Sequence, residues 1–310
     1  MNIRENTKLI TILGPTATGK TSLAVNIAQK ISVEIISADS RQIYRGMDIG
    51  TGKDLDEYQI NNKKISHHLI DILDPSNDYS VFQFKQDFFK IFNHLNKAKK
   101  LPILCGGTGL YIESILLNYQ MPSVPPDTSL RKKMENKNID YLANYLQSID
   151  RSVYDRRYHV TKRRIIRAIE VALSSNHNKE RNINFKIDNP LILGLEIDRE
   201  ELLMNIKQRL EKRIQSGMID EVKSLINHGI DLHRLRYFGL EYKFVGQYLF
   251  NEIKYDDMII KLNYAINKFS KRQMTFFRRM EKRGIKILWI SKNNYNQVDQ
   301  YIEKYLENEL

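Results

Sequence analysis

Eight residues near the N-terminus narrow the fold more than anything else in the chain. Gly14, Pro15, Thr16, Ala17, Thr18, Gly19, Lys20 and Thr21 fit G-x-x-x-x-G-K-[ST], the loop that cradles phosphates. Their setting fits as well. Residues 8–13 read as a short buried strand (Leu9, Ile10, Ile12, Leu13). Residues 21–31 read as a helix, with Leu23, Ala24, Ile27, Ala28 and Ile31 at helical spacing. Strand, glycine-rich loop and helix N-terminus together build an anion site, because backbone N–H groups and the helix dipole both favour negative charge there. In this motif the lysine, Lys20, reaches the terminal phosphates, and the hydroxyl of Thr21 goes to Mg²⁺. The loop predicts a grip on a di- or triphosphate. It does not choose among them, and its geometry would serve ATP as well as any other.

The rhythm downstream predicts an α/β fold of the P-loop NTPase type, a parallel sheet with a helical insertion. A strand is expected at 34–37, a helix at 82–96 (Phe84, Phe88, Ile91, Phe92, Leu95) and a third strand at 101–105, ended by Gly106-Gly107. The pattern breaks at Pro122, Pro125 and Pro126. Residues 129–175 then read as helical throughout, and 176–189 as a polar loop. Strand character returns at 191–197. Asp198 is placed to cap a helix, with Glu201 three residues on. Gly217 interrupts that helix and Gly229 ends its continuation. A long helix is expected at 255–283, stopped by Gly284, and a last strand at 285–290. Two domains follow: a core from 1–118 and 189–310, and a helical insertion over 119–188.

The chain has 310 residues, 42% of them hydrophobic, enough for a real core. No apolar run approaches a membrane span, and the polar start leads straight into the first strand rather than reading as a leader. The single cysteine, Cys105, excludes an internal disulfide, suits a reducing cytoplasm and is expected to be an inert buried thiol. The net charge of +12 is concentrated. Residues 151–167 hold seven Lys/Arg against Asp155, and 271–286 hold seven against Glu281. Each segment carries aromatics (Tyr154, Tyr158; Phe276, Phe277). Together these two segments account for the entire net charge. They read as a polyanion footprint or as two solvated helix faces.

Two further segments end at the same edge of such a sheet. Asp39 lies just past the second strand, where loops line the ligand crevice of open α/β sheets. A carboxylate there can hold Mg²⁺ or accept a proton from a nucleophile, or it can simply cap a turn. Gly106-Gly107-Thr108-Gly109 follows the third strand, where paired glycines permit close backbone approach and Thr108 adds a hydroxyl; an ordinary strand-to-helix turn looks the same.

Taken together, GPTATGKT (14–21), SADSRQIYRGMDIGTGK (37–53), HHLIDILDPSNDYSVFQF (67–84), ILCGGTGLYI (103–112), RRIIRAIEV (163–171) and KRQMTFFRR (271–279) resemble the tRNA isopentenyltransferase family, the tRNA dimethylallyltransferases, in the family's order and over most of the chain. The resemblance implies transfer of a dimethylallyl group from dimethylallyl diphosphate, with Mg²⁺, to the exocyclic amine of the adenine 3′-adjacent to the anticodon. The phosphate loop would then hold an organic diphosphate. By the same resemblance Asp39 is the base or orienting acceptor, Thr108 contacts the substrate base, and Lys20 and Arg131 act near the reacting groups. The tRNA anticodon stem-loop would meet Asp39, Ser40, Arg41, Gln42, Thr108 and Arg131; Arg163, Arg164, Ile165, Ile166 and Arg167; Arg236 and Gly239; and Lys271, Arg272, Gln273 and Arg278. A monomer is expected.

The chain departs from the family in one place. The family's Gly-Tyr-Lys/Arg motif is here Gly239-Leu240-Glu241-Tyr242-Lys243, with Leu240 and Glu241 inserted, leaving Gly239 and Tyr242-Lys243 to carry the motif between them. Three other classes share parts of the pattern. A free-adenylate isopentenyltransferase needs neither the insertion nor two +6 segments. A P-loop small-molecule kinase would phosphorylate from ATP. A non-catalytic RNA-binding protein would use the loop as a switch.

Overall fold

Short, largely apolar runs build the centre of the sheet. The computed structural model describes residues 8–60, 63–151, 161–174, 187–291 and 294–308. It divides into two units, Met1–Asn118 with Lys186–Leu310, and Tyr119–Phe185.

In the first unit, β1 (Ile10–Leu13), β2 (Glu34–Ser37), β5 (His67–His68), β6 (Pro102–Gly106), β7 (Leu191–Glu196) and β8 (Leu288–Ser291) form one six-stranded parallel sheet in the order β5-β2-β6-β1-β7-β8. β1 is buried along its whole length, as a parallel strand covered on both faces must be. Ile10 pairs with Ile103 on one side and Leu191 on the other. A separate two-stranded pair, β3 (Gln59–Ile60) and β4 (Lys63–Lys64), is antiparallel. The α/β reading with a P-loop core thus holds.

Local chemistry sets the helix ends. Lys20–Ile31 starts from Gly19 at φ 80° and buries Leu23, Ala24, Val25, Ile27 and Ala28 against the sheet. Val81–Lys97 begins with a capping box, in which Gln83 N donates to Ser80 Oγ and Ser80 N donates to the Gln83 side chain. Asp198 caps Arg199–Gln215 as its position predicts, accepting from Glu200 N at 2.7 Å. Gly217 (φ 97°) separates that helix from Met218–Asn227. The long helix is Tyr255–Lys282.

Several elements differ from the sequence reading. The first strand begins at Ile10, and the last occupies Leu288–Ser291 rather than 285–290. Elements not foreseen include the short strands β3, β4 and β5 and the helices Gly109–Leu116, Leu232–Phe238, Leu240–Leu249 and Asn296–Leu306. The final helix is tied to the first strand region, where Leu9 N donates to Tyr305 Oη at 2.9 Å.

The second unit contains Thr128–Glu135, Ile139–Ile149 and Lys162–Leu173, and no strand among its described residues. Met134, Leu142, Leu146, Ile165 and Ile169 form its core. Buried Glu170 organises one side. Arg131 Nε and Nη2 donate to it at 2.7 and 3.1 Å, Arg167 Nη1 at 3.0 Å and Asp127 N at 2.9 Å. Burial alone would raise the Glu170 carboxyl, but these bonds outweigh it and hold its pKa below the ordinary value. Ile165, which the resemblance put among the tRNA contacts, is instead a core side chain, because an apolar residue on the inner stripe of a helix goes inward. Arg156, Arg157, Tyr154 and Tyr158 of the first basic segment, and most of the loop expected at 176–189, lie outside the described residues.

Candidate active site

β2, β6 and β1 are neighbours and run parallel, so the loops that follow them emerge side by side. The phosphate loop follows β1, Asp39 follows β2, and Gly106 to Gly109 follow β6. All three line one crevice of about 820 Å³. The glycines let them close up. A side chain on Gly106 would meet the Ala38 carbonyl at 2.4 Å, so only glycine lets β6 and the Asp39 loop touch. Thr108 N donates to that same carbonyl, and Ser40 N donates to Thr108 Oγ1 at 3.1 Å. Asp39 Oδ1 accepts from Arg41 N at 2.8 Å, which fixes the carboxylate, while Oδ2 has no hydrogen-bond partner among the described residues.

Lys20 lies across the phosphate loop, with Nζ donating to the Pro15 carbonyl at 2.5 Å. Burial is the main cause that lowers its pKa to about 8, and the Arg209 charge pushes the same way. Thr18 Oγ1 donates to the same carbonyl at 2.9 Å. Thr16 N donates to Gln273 Oε1, and Gln273 Nε2 donates to the Gly107 carbonyl, both at 2.9 Å. Gln273 therefore bridges the phosphate loop and the Gly-Gly-Thr-Gly loop. It was expected among the tRNA contacts, but both ends of its amide are engaged inside the protein.

Other expected contacts separate by face. Arg41 lines the crevice with its guanidinium 4.9 Å from the Tyr237 ring centre. Gln42 is committed internally, donating to the Gly52 carbonyl and accepting from Ser37 Oγ. Gly239 lines the crevice at φ 128° between two helices, and exposed Arg236 pairs with Glu252 at 3.1 Å. On the long helix, Arg272 lines the crevice, whereas Lys271 and Arg278 line a second cavity of about 340 Å³ with Arg199. Arg279 and Arg283 hold buried Glu113 at 3.0 and 3.2 Å. Arg131 belongs to the helical unit, bound to Glu170, with Arg167 on the same carboxylate; Arg163 and Arg164 are exposed there, and Ile166 is partly buried.

Cys105 is buried, its thiol pushed up to about 12 mainly by burial, as an inert thiol should be. Among the described residues no group of three or more His, Cys, Asp or Glu could hold a metal unaided. Thr21 and nearby Asp39 nevertheless suit an ion recruited together with a diphosphate, since Mg²⁺ is commonly held by one or two protein oxygens plus phosphates and water.

The sequence reading missed Asn205, Arg209 and Arg213, which reach the crevice from Arg199–Gln215. Arg209 Nη1 donates to Thr16 Oγ1 at 3.3 Å, and burial lowers its pKa to about 10, with the Arg213 charge next in effect. Their spacing of four residues beside the apolar positions Leu202, Ile206 and Leu210 was the available signal. Also unassigned was the scaffold of the loop before Lys53. Glu221 accepts from Asp48 N, Ile49 N and Gly50 N and from Tyr242 Oη, and fully buried Lys53 donates to Asp48, Asp71 and the Tyr44 carbonyl.

Known proteins carry the same framework. The family model described as IPP transferase matches residues 42–280, and one described as isopentenyl transferase matches 7–68. The chain is 46% identical over 298 residues to tRNA dimethylallyltransferase 1 of Azobacteroides pseudotrichonymphae, covering 96% of this chain and 97% of that one. It is 46% identical over 283 residues to the Parabacteroides distasonis protein of the same name, covering 91% and 92%. The solved tRNA isopentenylpyrophosphate transferase of Bacillus halodurans superposes with a TM-score of 0.70 at 30% identity, covering 98% of both chains. A eukaryotic dimethylallyltransferase solved acting on tRNA shares the fold, with a TM-score of 0.79 at 22% identity over 98% of this chain and 80% of that one. With a family model spanning well over half its length and relatives near half identity end to end, the chain belongs to the IPP transferase family.

Proposed function

We propose that this protein is a tRNA dimethylallyltransferase. It moves the dimethylallyl group of dimethylallyl diphosphate onto the exocyclic amine of the adenine 3′-adjacent to the anticodon. The observation that carries the reading is the shared crevice: a phosphate loop on one wall, and Asp39 and Thr108 opposite, joined by Gln273. The relatives' names supply the substrates.

The crevice's own groups suit each part of the reaction. The donor's diphosphate seats on the backbone N–H groups of residues 14–21, with Lys20 and Arg209 taking up charge as the allylic C–O bond breaks. The carbon–nitrogen bond then forms to the adenine amine, and the amine proton goes to Asp39. Thr108, held by Ser40 N, orients the base beside Asp39. Arg131, which the resemblance links to the reaction, is bound to Glu170 within the helical unit, so its role rests on the resemblance alone. Mg²⁺, held by Thr21 and the diphosphate, would supply further neutralisation of the leaving group. The base must leave its stack to enter, and the exposed arginines Arg163 and Arg164, with Lys271 and Arg278, are proposed to hold the RNA backbone. Buried Cys105 suits the cytoplasm.

The test is mass spectrometry of nucleosides from unmodified tRNA incubated with enzyme, dimethylallyl diphosphate and Mg²⁺. A prenylated adenosine next to the anticodon is expected. Product from AMP and none from tRNA would make the protein an adenylate enzyme instead, and a phosphorylated product from ATP would make it a kinase.

A further inference from the structure

Glu241 is one of the two residues inserted into the family's Gly-Tyr-Lys/Arg motif, and it has a partner in the crevice wall. Its Oε1 accepts from Arg213 Nη1 at 3.4 Å. Nη1 also reaches the Gly50 carbonyl at 3.4 Å. Both contacts are long, and the Nε and Nη2 atoms of Arg213 are buried with no hydrogen-bond partner. A guanidinium so poorly satisfied is costly unless it serves something.

Gly52 shows where that guanidinium goes. A Cβ on Gly52 would stand 1.6 Å from Arg213 Nη2 and 2.4 Å from Arg209 Nη2. The two guanidiniums therefore crowd the same bare face of one glycine and touch each other. Two like charges this close repel in a partly desolvated wall, even with Glu241 paired to Arg213 and the Asp54, Glu241 and Asp39 carboxylates acting on Arg209. On its other side Arg209 meets the phosphate loop, where its Nη1 donates to Thr16 Oγ1 at 3.3 Å. An anion in that loop relieves the repulsion. Arg213 borders the crevice, but its Nε and Nη2 atoms are buried, so those nitrogens bear on Arg209 rather than on a ligand.

We propose that Arg213, held by the inserted Glu241 against Gly52, is a positioning residue that presses Arg209 onto the diphosphate in the phosphate loop. The proposal rests on the diphosphate reading above. It makes Gly52, Arg213 and Glu241 one interdependent set.

Calorimetric titration of inorganic diphosphate with Mg²⁺ into the full chain tests it, beside tRNA binding and steady-state kinetics. Arg213→Ala should weaken diphosphate about tenfold, the scale of one charge-assisted hydrogen bond, and raise the donor KM with little change in kcat. The tRNA Kd should stay within twofold. Arg213→Lys should recover little, since a single ammonium cannot reach both Glu241 and the bare face of Gly52 as the planar guanidinium does. Gly52→Ala should weaken diphosphate similarly, and Gly52→Ala with Arg213→Ala should be no worse than either alone, because both remove one contact. If Arg213→Ala does not fold, Arg213→Gln and Glu241→Gln carry the same measurement. Diphosphate affinity within twofold of wild type, tRNA affinity falling in parallel, or additive losses would each overturn the proposal. A wild type that binds diphosphate but prenylates no tRNA would sink the function and leave this inference standing. A wild type that binds no diphosphate overturns both.

Discussion

Two side chains in the crevice make separable demands. Lys20 must be charged to hold a diphosphate, yet burial sets its pKa at about 8 rather than 10.5. Raising the pH from 7 to 9 discharges it, so diphosphate affinity should fall about tenfold relative to a Lys20→Arg variant, whose charge does not titrate there. Titrations of inorganic diphosphate at pH 7, 8 and 9 check this. Folding responds in the opposite sense. Between pH 8 and 10.5 the unfolded chain keeps a proton that the folded chain has released, so this group makes folding more favourable as pH rises. Asp39 works on the other substrate. With Oδ1 fixed by Arg41 N, its second oxygen is available to the amine. Asp39→Ala should cut kcat by roughly 10²–10⁴, the range for a positioned proton acceptor, while the tRNA Kd stays within twofold. A large loss of tRNA affinity would show that Asp39 chiefly binds.

Gln273 is the contact through which the long helix governs both loops. Gln273→Ala leaves Thr16 N and the Gly107 carbonyl without their partner, at a cost of about 1–3 kcal/mol for buried groups so exposed to loss, and should raise the donor KM. Gln273→Glu should be worse, because it keeps the acceptor for Thr16 N but sets a carboxylate oxygen against the Gly107 carbonyl. Urea unfolding and donor KM read the two effects. The difference between these elements also explains what the sequence disclosed. The phosphate loop, Asp39 and Thr108 were legible because each lies within a short contiguous motif at a strand end. Arg209 and Arg213 were not, and Gln273 was assigned to tRNA rather than to the two loops it joins, because helices distant in sequence deliver them. Hydrophobic periodicity reveals which face of Arg199–Gln215 turns inward, but not which polar flank of that face borders a ligand. The unforeseen helix Leu240–Leu249 follows the same logic, since its register depends on Tyr242 reaching Glu221. The strand β5 is only two residues long, too short to show any period.

Across the whole molecule, the two basic segments prove to be mixtures. Arg167 is tied to Glu170, and Arg279 and Arg283 to Glu113, both carboxylates buried. Arg163, Arg164, Lys271 and Arg278 are exposed. Reversing Arg163 and Arg164 to Glu should therefore weaken tRNA binding and flatten its dependence on log salt by about one to two units, given about 0.7–0.9 per phosphate contact. Arg279→Glu should mainly destabilise the fold. Salt-titrated tRNA affinities and thermal melts separate the two. The sheet order has one more consequence, for how the protein is made. β1 gains its neighbours only from residues 102–106 and 191–196, and Leu9 is fastened by Tyr305 near the other end of the chain. On the ribosome, then, this strand and its loop emerge long before residues 191–196 can flank them, and until then the nascent chain carries an unfinished anion cradle.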